Sequence, residues 1–253
     1  MDKNYCVVLL TNDAYFDKMI MTLSQLFSVG YKEDVCIVIG DDLKDSEKLN
    51  NVLLNNDRLV IKHFKDLQFS SEFIDVFNTM KRDEKWGSKI FQYHKLYLFH
   101  IFFKKWDYIL YIDSGVTILN PITPILECVM PDKVIAHSDS YPDYNWKMSI
   151  QFDVDDLNFL KYSENFNFEV DYPQTTILLY DTNIINADTF EKLYKLSEDL
   201  KCSKTNDQGI IALYLVMNGL WKQIPVGDEN FWYYDYELRW NKKNKPHIMI
   251  KNI

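Results

Sequence analysis

The sequence predicts an α/β domain with a mostly parallel central sheet that is flanked by helices. Strand-like apolar runs alternate along the chain with segments of helical spacing. The strand-like runs are continuously apolar, which is typical of parallel strands that are covered on both faces. A chain of 253 residues, of which 47% are hydrophobic, can bury a core of this size. We therefore expect one domain over residues 1–253.

The first elements form a βαβ unit, in which two parallel strands are joined by a helix. Tyr5–Leu10 and Asp34–Ile39 are strand-like, and Asp17–Phe27 between them has apolar residues at helical spacing. Ser46–Asn55 then predicts a second helix, and Leu59–Phe64 predicts a third strand.

The middle of the chain carries the predicted central strand. The segment SKIFQYHKLYLFHIFF predicts a long helix with Ser88 as its N-cap. This helix leads to the strand Tyr108–Ile112. The positions expected to be buried on the helix include Ile90, Phe91, Tyr97 and Phe102.

The second half of the chain alternates in the same way but less regularly. Val134–His137 and Thr176–Tyr180 are predicted strands, and Asp188–Leu200 and Asn206–Val216 are predicted helices. Lys245–Ile253 predicts a last strand or an extended segment that folds back. Residues 138–170 are polar and aromatic, and no regular element is predicted there.

Composition excludes several classes of protein. A net charge of -9 argues against a broad basic face for nucleic acid. The four cysteines lack a C-x-x-C pair and suggest neither a zinc site nor a disulfide framework, and Cys6 and Cys36 are predicted as buried thiols. No apolar run reaches the roughly 20 residues of a membrane span, and the N-terminus lacks a signal-peptide pattern. These features predict a soluble cytoplasmic protein.

Polar side chains follow the first strand, at the sheet edge where α/β proteins bind ligands. Thr11, Asn12 and Asp13 offer short donors and acceptors suited to a base or a ribose, and Tyr15 offers a ring for stacking. The alternative is that Asn12 or Asp13 caps the following helix.

A single carboxylate closes the apolar central strand. Asp113 is costly there unless it is paired, solvated or bound to a cation. A carboxylate oxygen suits Mg²⁺ or Mn²⁺, which usually complete their shells with phosphates and water. Ser114 could add a hydroxyl contact, and Gly115 allows a ligand to approach the backbone. The alternative is an Asp-Ser-Gly turn without a ligand.

Three segments in this order resemble the glycosyltransferases of family 8, the glycogenin-like group with the GT-A fold. YCVVLLTNDAYF resembles the family's first strand and nucleotide-contacting loop. HKLYLFHIFFKKWDYILYIDSGVTILNPI resembles its helix, Lys-Leu pair, central strand and metal-binding Asp-x-Asp. NDQGIIALYL resembles its Asp-Gln-Gly helix start. Together the matches span residues 5–216.

The resemblance implies a Rossmann-like nucleotide-diphospho-sugar transferase fold. Its nucleotide-binding part would be about residues 1–120, and its acceptor side about residues 121–253. The implied reaction transfers a sugar, from a UDP-sugar in most of the family, to a hydroxyl of a glycan or protein acceptor. Mn²⁺ or Mg²⁺ is the implied cofactor, and the enzyme would be hexosyltransferase-like and retaining.

The resemblance also implies roles for individual residues. Thr11, Asn12, Asp13 and Tyr15 would contact the nucleotide. The implied catalytic residues and first metal ligand are Lys95 at the donor sugar or phosphate, Asp207 and Gln208 at the donor sugar and reacting centre, and Asp113 at the metal. Thr176 in PQTTILLYD matches an acceptor-side segment loosely.

Two departures from the family pattern concern the metal and the diphosphate. Gly115 replaces the second Asp of Asp-x-Asp, so one expected metal oxygen is missing. Ser114, Asp207 or His247 could complete the shell, although His247 could equally be structural. Lys251 is a candidate diphosphate contact but lacks the family's spacing.

Other polar and aromatic clusters have simpler interpretations. Asp153-Val154-Asp155 has the Asp-x-Asp spacing but no preceding strand, which predicts a solvated loop. Asp41-Asp42 predicts a turn. The aromatic residues of Phe231–Tyr236 and Trp240 could stack on a sugar, and the favoured interpretation is a core edge.

Two alternative functions stay open at this level. A protein that holds a nucleotide sugar or a glycan without turnover would explain the missing second Asp. A sugar nucleotidyltransferase can share the strand order but usually has a glycine-rich basic first loop, and TNDAYF contains no glycine.

Overall fold

The computed structural model describes residues 3–49, 57–80, 89–140, 145–224, 232–235 and 247–251. In the last two of these ranges only the backbone and the Ile248 side chain are described. The N-cap Ser88 lies outside these residues, as do most of the predicted helix Ser46–Asn55 and the side chains of the aromatic cluster near residue 235. Those predictions therefore stay predictions.

The described strands form a larger and a smaller sheet. The larger sheet contains β1 (Tyr5–Thr11), β2 (Asp34–Ile39), β3 (Leu59–His63), β4 (Tyr108–Ile112), β6 (Val134–Ala136), β7 (Ile177–Asp181) and β8 (Trp221–Gln223), and the smaller one contains β5 (Val116–Ile118), β9 (Trp232–Asp235) and β10 (His247–Lys251).

The larger sheet has the order β3-β2-β1-β4-β7-β6-β8, so β4 is its middle strand, as predicted. Strands β3, β2, β1 and β4 run parallel, and their carboxyl ends meet at one edge. Strand β7 runs antiparallel to β4 and β6, while β8 is parallel to β6. The predicted mostly parallel sheet is confirmed.

Helices cover both faces of this sheet. The α-helices within the described residues include α1 (Phe16–Ser28), α2 (Ser71–Thr79), α3 (Thr123–Leu126), α4 (Leu157–Ser163), α5 (Thr189–Asp199) and α6 (Asp207–Met217). The 3₁₀-helices are Asp13–Tyr15, Asp41–Leu43, Ile90–Phe99, Ile101–Lys105, Met148–Gln151 and Thr182–Ile184.

Strand β1 shows why its apolar run is continuous. Cys6, Val8 and Leu10 pack on the face covered by α6 and by the long 3₁₀-helix that starts at residue 90. Val7 and Leu9 pack on the opposite face, which α1 covers. Because side chains alternate between the two faces of a strand, a strand covered on both faces needs apolar residues at every position.

The prediction of one long helix over residues 88–103 is wrong. The chain forms two 3₁₀-helices there, separated at His100, whose ψ of 146° is extended. A 3₁₀-helix has three residues per turn, so its buried face differs from that of an α-helix. Ile90 is 38% exposed, contrary to the prediction. The buried side chains are Tyr93, His94, Lys95, Leu96, Leu98 and Phe99.

The other predicted strands and helices that lie within the described residues agree with the structure apart from small shifts of their ends. Helix α6 starts at Asp207, so Asp207 and Gln208 are in its first turn. The tail forms β10. The irregular region contains helix α4, which the sequence did not predict. Within the described residues, no helix is both long and apolar enough to span a bilayer.

Candidate active site

The carboxyl ends of β1 and β4 lie side by side and are joined by hydrogen bonds. The Ser114 hydroxyl donates to the carbonyl of Leu10 at 2.6 Å. The Asp113 N–H donates to the carbonyl of Thr176 at 2.9 Å, which connects the same loop to the start of β7. The predicted first-strand loop and the Asp-Ser-Gly turn therefore belong to one site.

The carboxylate of Asp113, at the end of an apolar strand, is stabilised by two partners. Its Oδ1 accepts a hydrogen bond from the Tyr111 hydroxyl at 2.6 Å and lies 3.1 Å from the Lys95 ammonium. Burial, together with the nearby Asp113 charge, raises the pKa of Tyr111 well above its usual value, so the phenol stays a donor. The Asp113 side chain is 24% exposed, which leaves it open to a ligand.

Lys95 joins two carboxylates at the centre of the site. Its Nζ lies 3.0 Å from Asp207 Oδ2 as well as 3.1 Å from Asp113 Oδ1. It also lies 3.3 Å from both the carbonyl and the hydroxyl oxygen of Thr175. Burial lowers the pKa of Lys95, but Asp113 and Asp207 outweigh it and the pKa is raised. Lys95 is therefore a buried cation at neutral pH.

Asp207 is placed by the start of α6. The residue before it, Asn206, has a φ of 56° and donates from its side chain to Gln92 at 2.5 Å. Gln92 and Lys95 are three residues apart in the same 3₁₀-helix and therefore share a face. They hold Asn206 and Asp207 respectively. Burial is the main reason that the pKa of Asp207 is raised, Lys95 lowers it, and Asp113 raises it further.

The Gln208 side chain is positioned by hydrogen bonds to residues outside α6. Its Nε2 donates to Gln151 Oε1 at 3.2 Å, and Gln151 Nε2 donates to the Tyr172 hydroxyl at 2.8 Å. Ser203 packs directly against Gly209, the next residue of the helix. A Cβ at position 209 would lie 2.6 Å from Ser203 Oγ, so the contact requires glycine. Gln151 was missed at the sequence level, since it lies in the region without a regular pattern.

Most polar side chains of the loop after β1 already have hydrogen-bond or ion-pair partners within the protein. Asn12 Oδ1 accepts from the Tyr15 N–H at 3.2 Å, so the capping interpretation of Asn12 is confirmed. Thr11 is buried and its hydroxyl donates to the Asn12 carbonyl at 3.0 Å. The Asp13 carboxylate pairs with Lys48. Tyr15 keeps a partly exposed side chain and is the member best placed to meet a ligand.

Two lysines lie around the ring of Tyr15, and the sequence interpretation had overlooked both. The Lys89 ammonium lies 4.9 Å from the ring centroid and also donates to the Tyr15 hydroxyl. The Lys18 ammonium lies 5.7 Å from the same centroid. No motif marks these residues, because both are ordinary exposed lysines in the sequence pattern.

Gly115 has a structural reason to be glycine. Its φ of 99° is one that side chains with a Cβ rarely adopt, and a Cβ would lie 3.3 Å from Lys18 Cδ. The Thr22 hydroxyl accepts from the Gly115 N–H at 3.1 Å and lies 2.9 Å from the Val116 carbonyl. A second Asp at this position would be strained.

The register of β10 places Lys251, rather than His247, near the turn. Lys251 pairs with Val116, directly after Gly115, in an antiparallel ladder. At about 3.3 Å per residue the His247 backbone lies about 13 Å further along the strand. Their side chains are outside the described part of the molecule, so their roles stay predictions.

A divalent cation at this site would need several oxygen or nitrogen ligands close together. Among the described side chains, no three of His, Cys, Asp or Glu form a group that could hold a metal ion. Asp113 Oδ1 and Asp207 Oδ2 already contact the Lys95 ammonium. The described donors do not fit a complete Mn²⁺ or Mg²⁺ site, and this cofactor stays a prediction.

The competing acidic clusters have local roles. Asp153 Oδ1 accepts from the Asp155 N–H at 3.3 Å, within a loop whose neighbour Asp156 caps α4. Asp41 starts a 3₁₀ turn and lies 2.6 Å from His63 Nε2. Both sequence interpretations, a loop and a turn, are confirmed.

No protein-family model and no curated protein matches this chain. Solved structures do match it. The galactosyltransferase LgtC, in complex with donor and acceptor sugar analogs, has a TM-score of 0.60 at 14% identity, over 90% of this chain and 75% of LgtC. The bifunctional glycosyltransferase WbbM has a TM-score of 0.60 at 16% identity, over 99% and 46%. Mouse xyloside xylosyltransferase 1 has a TM-score of 0.54 at 11% identity, over 98% and 97%. This likeness shows that the chain has the GT-A fold.

Proposed function

We propose that this protein, which has the GT-A fold, is a glycosyltransferase. It would transfer a sugar from a nucleoside diphosphate sugar, a UDP-sugar in our proposal, to a hydroxyl group of a glycan or protein acceptor. The observation that carries the proposal is the buried Lys95 ammonium between Asp113 and Asp207. It lies at the carboxyl ends of the parallel strands, where open α/β sheets bind ligands.

A buried ion cluster of this kind favours a functional role. Taking the charges of Lys95 and Asp207 out of water is costly, and well-packed apolar residues of similar volume are often no less stable. Perturbed pKa values of Lys95, Asp207 and Tyr111 in a single cluster are typical of functional sites. The cluster is therefore better explained by what it binds than by what it contributes to folding.

The chemistry of sugar transfer suits these groups. The bond from the anomeric carbon to the diphosphate oxygen breaks, and negative charge develops on the departing diphosphate. A fixed positive charge at that point stabilises the transition state more than the ground state. We assign Lys95 to this position, where Asp113 and Asp207 keep its ammonium protonated and in place. Because the two carboxylates match its charge, a further cation or cationic side chain supplies the net positive charge.

The roles proposed for Asp207 and Gln208 follow from the same geometry. Both belong to the first turn of α6, and Asp207 meets Lys95 at 3.0 Å. We assign them to the hydroxyls and the anomeric centre of the donor sugar. That the sugar is a hexose and that its configuration is retained are further parts of the proposal, which product NMR would test.

The proposal is tested by release of the nucleoside diphosphate. The protein is incubated with a panel of UDP- and GDP-sugars, with EDTA or with Mn²⁺, and UDP or GDP is quantified. The expected result is release from one donor that falls at least about a hundredfold in Asp113→Ala and Lys95→Met. Lys195→Met, which removes an exposed lysine of α5, is the matched control.

Tight nucleotide-sugar binding without release under any donor would overturn the proposal. It would instead assign the protein to the class that binds such ligands without turnover. Release of inorganic pyrophosphate from a nucleoside triphosphate and a sugar phosphate would identify a sugar nucleotidyltransferase.

A further inference from the structure

We propose that Lys18 and Lys89 bind the donor diphosphate in place of a divalent cation. Both ammonium groups lie close to Tyr15, and the stem of Lys18 packs against Gly115 of the Asp-Ser-Gly turn. This inference rests on the proposed function, because it concerns how the same site holds its donor. It implies that a nucleoside diphosphate binds to the protein when divalent cations are absent.

The first step concerns the position where a second metal-binding carboxylate would be expected. Gly115 is buried, has a φ of 99°, and receives the stem of Lys18 against its Cα, so that a Cβ would meet Lys18 Cδ at 3.3 Å. The space that a side chain at position 115 would use is therefore filled by a lysine stem. The stem of a lysine therefore lies where the second carboxylate of Asp-x-Asp would be expected.

The second step concerns the charges that are left available for a ligand. Lys95 is matched by Asp113 and Asp207, which both contact its ammonium. Within the described part of the chain, no carboxylate lies within ion-pairing distance of Lys18 or Lys89. Among the described residues, these two lysines without a carboxylate partner lie next to one ring, in a chain whose net charge is -9.

The third step concerns the helix that carries Lys18. Lys18 is in the first turn of α1, where the helix dipole already places partial positive charge. A lysine there is unfavourable unless an anion is bound, although the neighbouring Asp17 offsets part of the cost. A diphosphate at the site would satisfy the lysine and the dipole together.

The fourth step concerns how the two lysines share Tyr15. Their ammonium groups lie 5.7 and 4.9 Å from the ring centroid, and Lys89 also donates to the Tyr15 hydroxyl. The ring keeps both cations at the carboxyl end of β1 while their side chains remain exposed. Each ammonium has hydrogen-bond donors left to offer phosphate oxygens.

The inference is tested by titrating UDP and GDP into the protein in the presence of EDTA. Calorimetry would compare the wild type with Lys18→Gln and Lys89→Gln, and with Lys195→Gln as the matched control. We expect the better of the two nucleotides to bind without metal, and each site variant to weaken it by about tenfold. Uridine and guanosine, which lack phosphates, should show no difference between the variants.

The possible failures are distinguishable. Binding that appears only when Mn²⁺ or Mg²⁺ is added, or that is unchanged in both lysine variants, would overturn the inference and leave the proposed function standing. Binding of neither nucleotide, with or without metal, combined with no donor turnover, would overturn both. Thermal unfolding of each variant shows whether a loss of binding follows from a loss of folding.

Discussion

Lys95 and Asp207 form a buried ion pair, with 3.0 Å between Nζ and Oδ2 and with side chains that are only 8% and 4% exposed. Asp113 approaches the same ammonium from the more open side at 3.1 Å. Neither carboxylate is near the other in sequence, and α6 and β4 bring them together. The proposed chemistry depends on this arrangement, since it fixes the Lys95 ammonium at the sheet edge.

Replacing Lys95 by Met should strongly destabilise the protein. The substitution leaves Asp207 buried without its counter-ion, and breaking a buried pair in this way costs about 3–5 kcal/mol. Urea unfolding would measure the loss. The exposed-site control Lys195→Met should stay within about 0.5 kcal/mol of the wild type.

A double substitution makes the origin of that loss clear. Asp207→Asn removes the orphaned charge, so it should restore part of the stability when it is added to Lys95→Met. If the two losses simply add, the two side chains are not coupled and the buried pair is not what holds them.

Gly115→Ala should destabilise the fold by more than Gly30→Ala does. Both glycines have positive φ, at 99° and 88°, so both variants carry backbone strain of about 1–3 kcal/mol. Only at position 115 does the new methyl also meet Lys18, at 3.3 Å, whereas nothing lies within 4 Å at position 30. Equal losses of unfolding free energy would contradict the close contact with Lys18.

Stability should fall in mild acid because of His137. This residue is 1% exposed, and its burial lowers its pKa from 6.5 to about 4. Between those values the unfolded chain binds a proton that the folded chain does not. Each pH unit of acidification there removes up to about 1.4 kcal/mol.

The check is denaturant unfolding between pH 7 and pH 4.5, with His137→Asn as the comparison. The variant should lose less stability than the wild type over this range, because one titrating group is gone. Parallel pH profiles for the two proteins would mean that His137 does not contribute.

Gln151 is expected to act through Gln208 as a positioning residue. In Gln151→Met the acceptor of the Gln208 amide is lost while the volume is kept. We expect kcat for sugar transfer to fall by about tenfold with the donor KM unchanged. Gln68→Met, which alters an exposed glutamine, should leave both constants at the wild-type level. A rise in KM alone would contradict the positioning role.

Strands β1, β2 and β4 could be predicted well because nearly every residue of their apolar runs is buried. Asp113 could be identified for the same reason, as a charge directly after a run that has to be buried. The segment from residue 90 to residue 105 could not be predicted correctly, because its residues are apolar on nearly every side. Packing against α5, α6 and the sheet, rather than periodicity, decides which helix forms.

The positions of Lys18 and Lys89 at the site could not be predicted, because they depend on contacts that only the fold shows. Lys18 and Lys89 are unremarkable in sequence, and the ring of Tyr15 brings them together. For His247 and Lys251, the strand register, which sequence spacing does not fix, sets their distance from Asp113. The same register places the Lys251 backbone opposite Val116, directly after the Asp-Ser-Gly turn.

The most direct test of the central claim is a crystal structure of the protein with UDP. The diphosphate is predicted to lie between Tyr15 and Asp113, with oxygens within about 3 Å of the ammonium groups of Lys18 and Lys89. UDP bound away from the carboxyl ends of β1 and β4 would contradict the claim that this edge is the donor site.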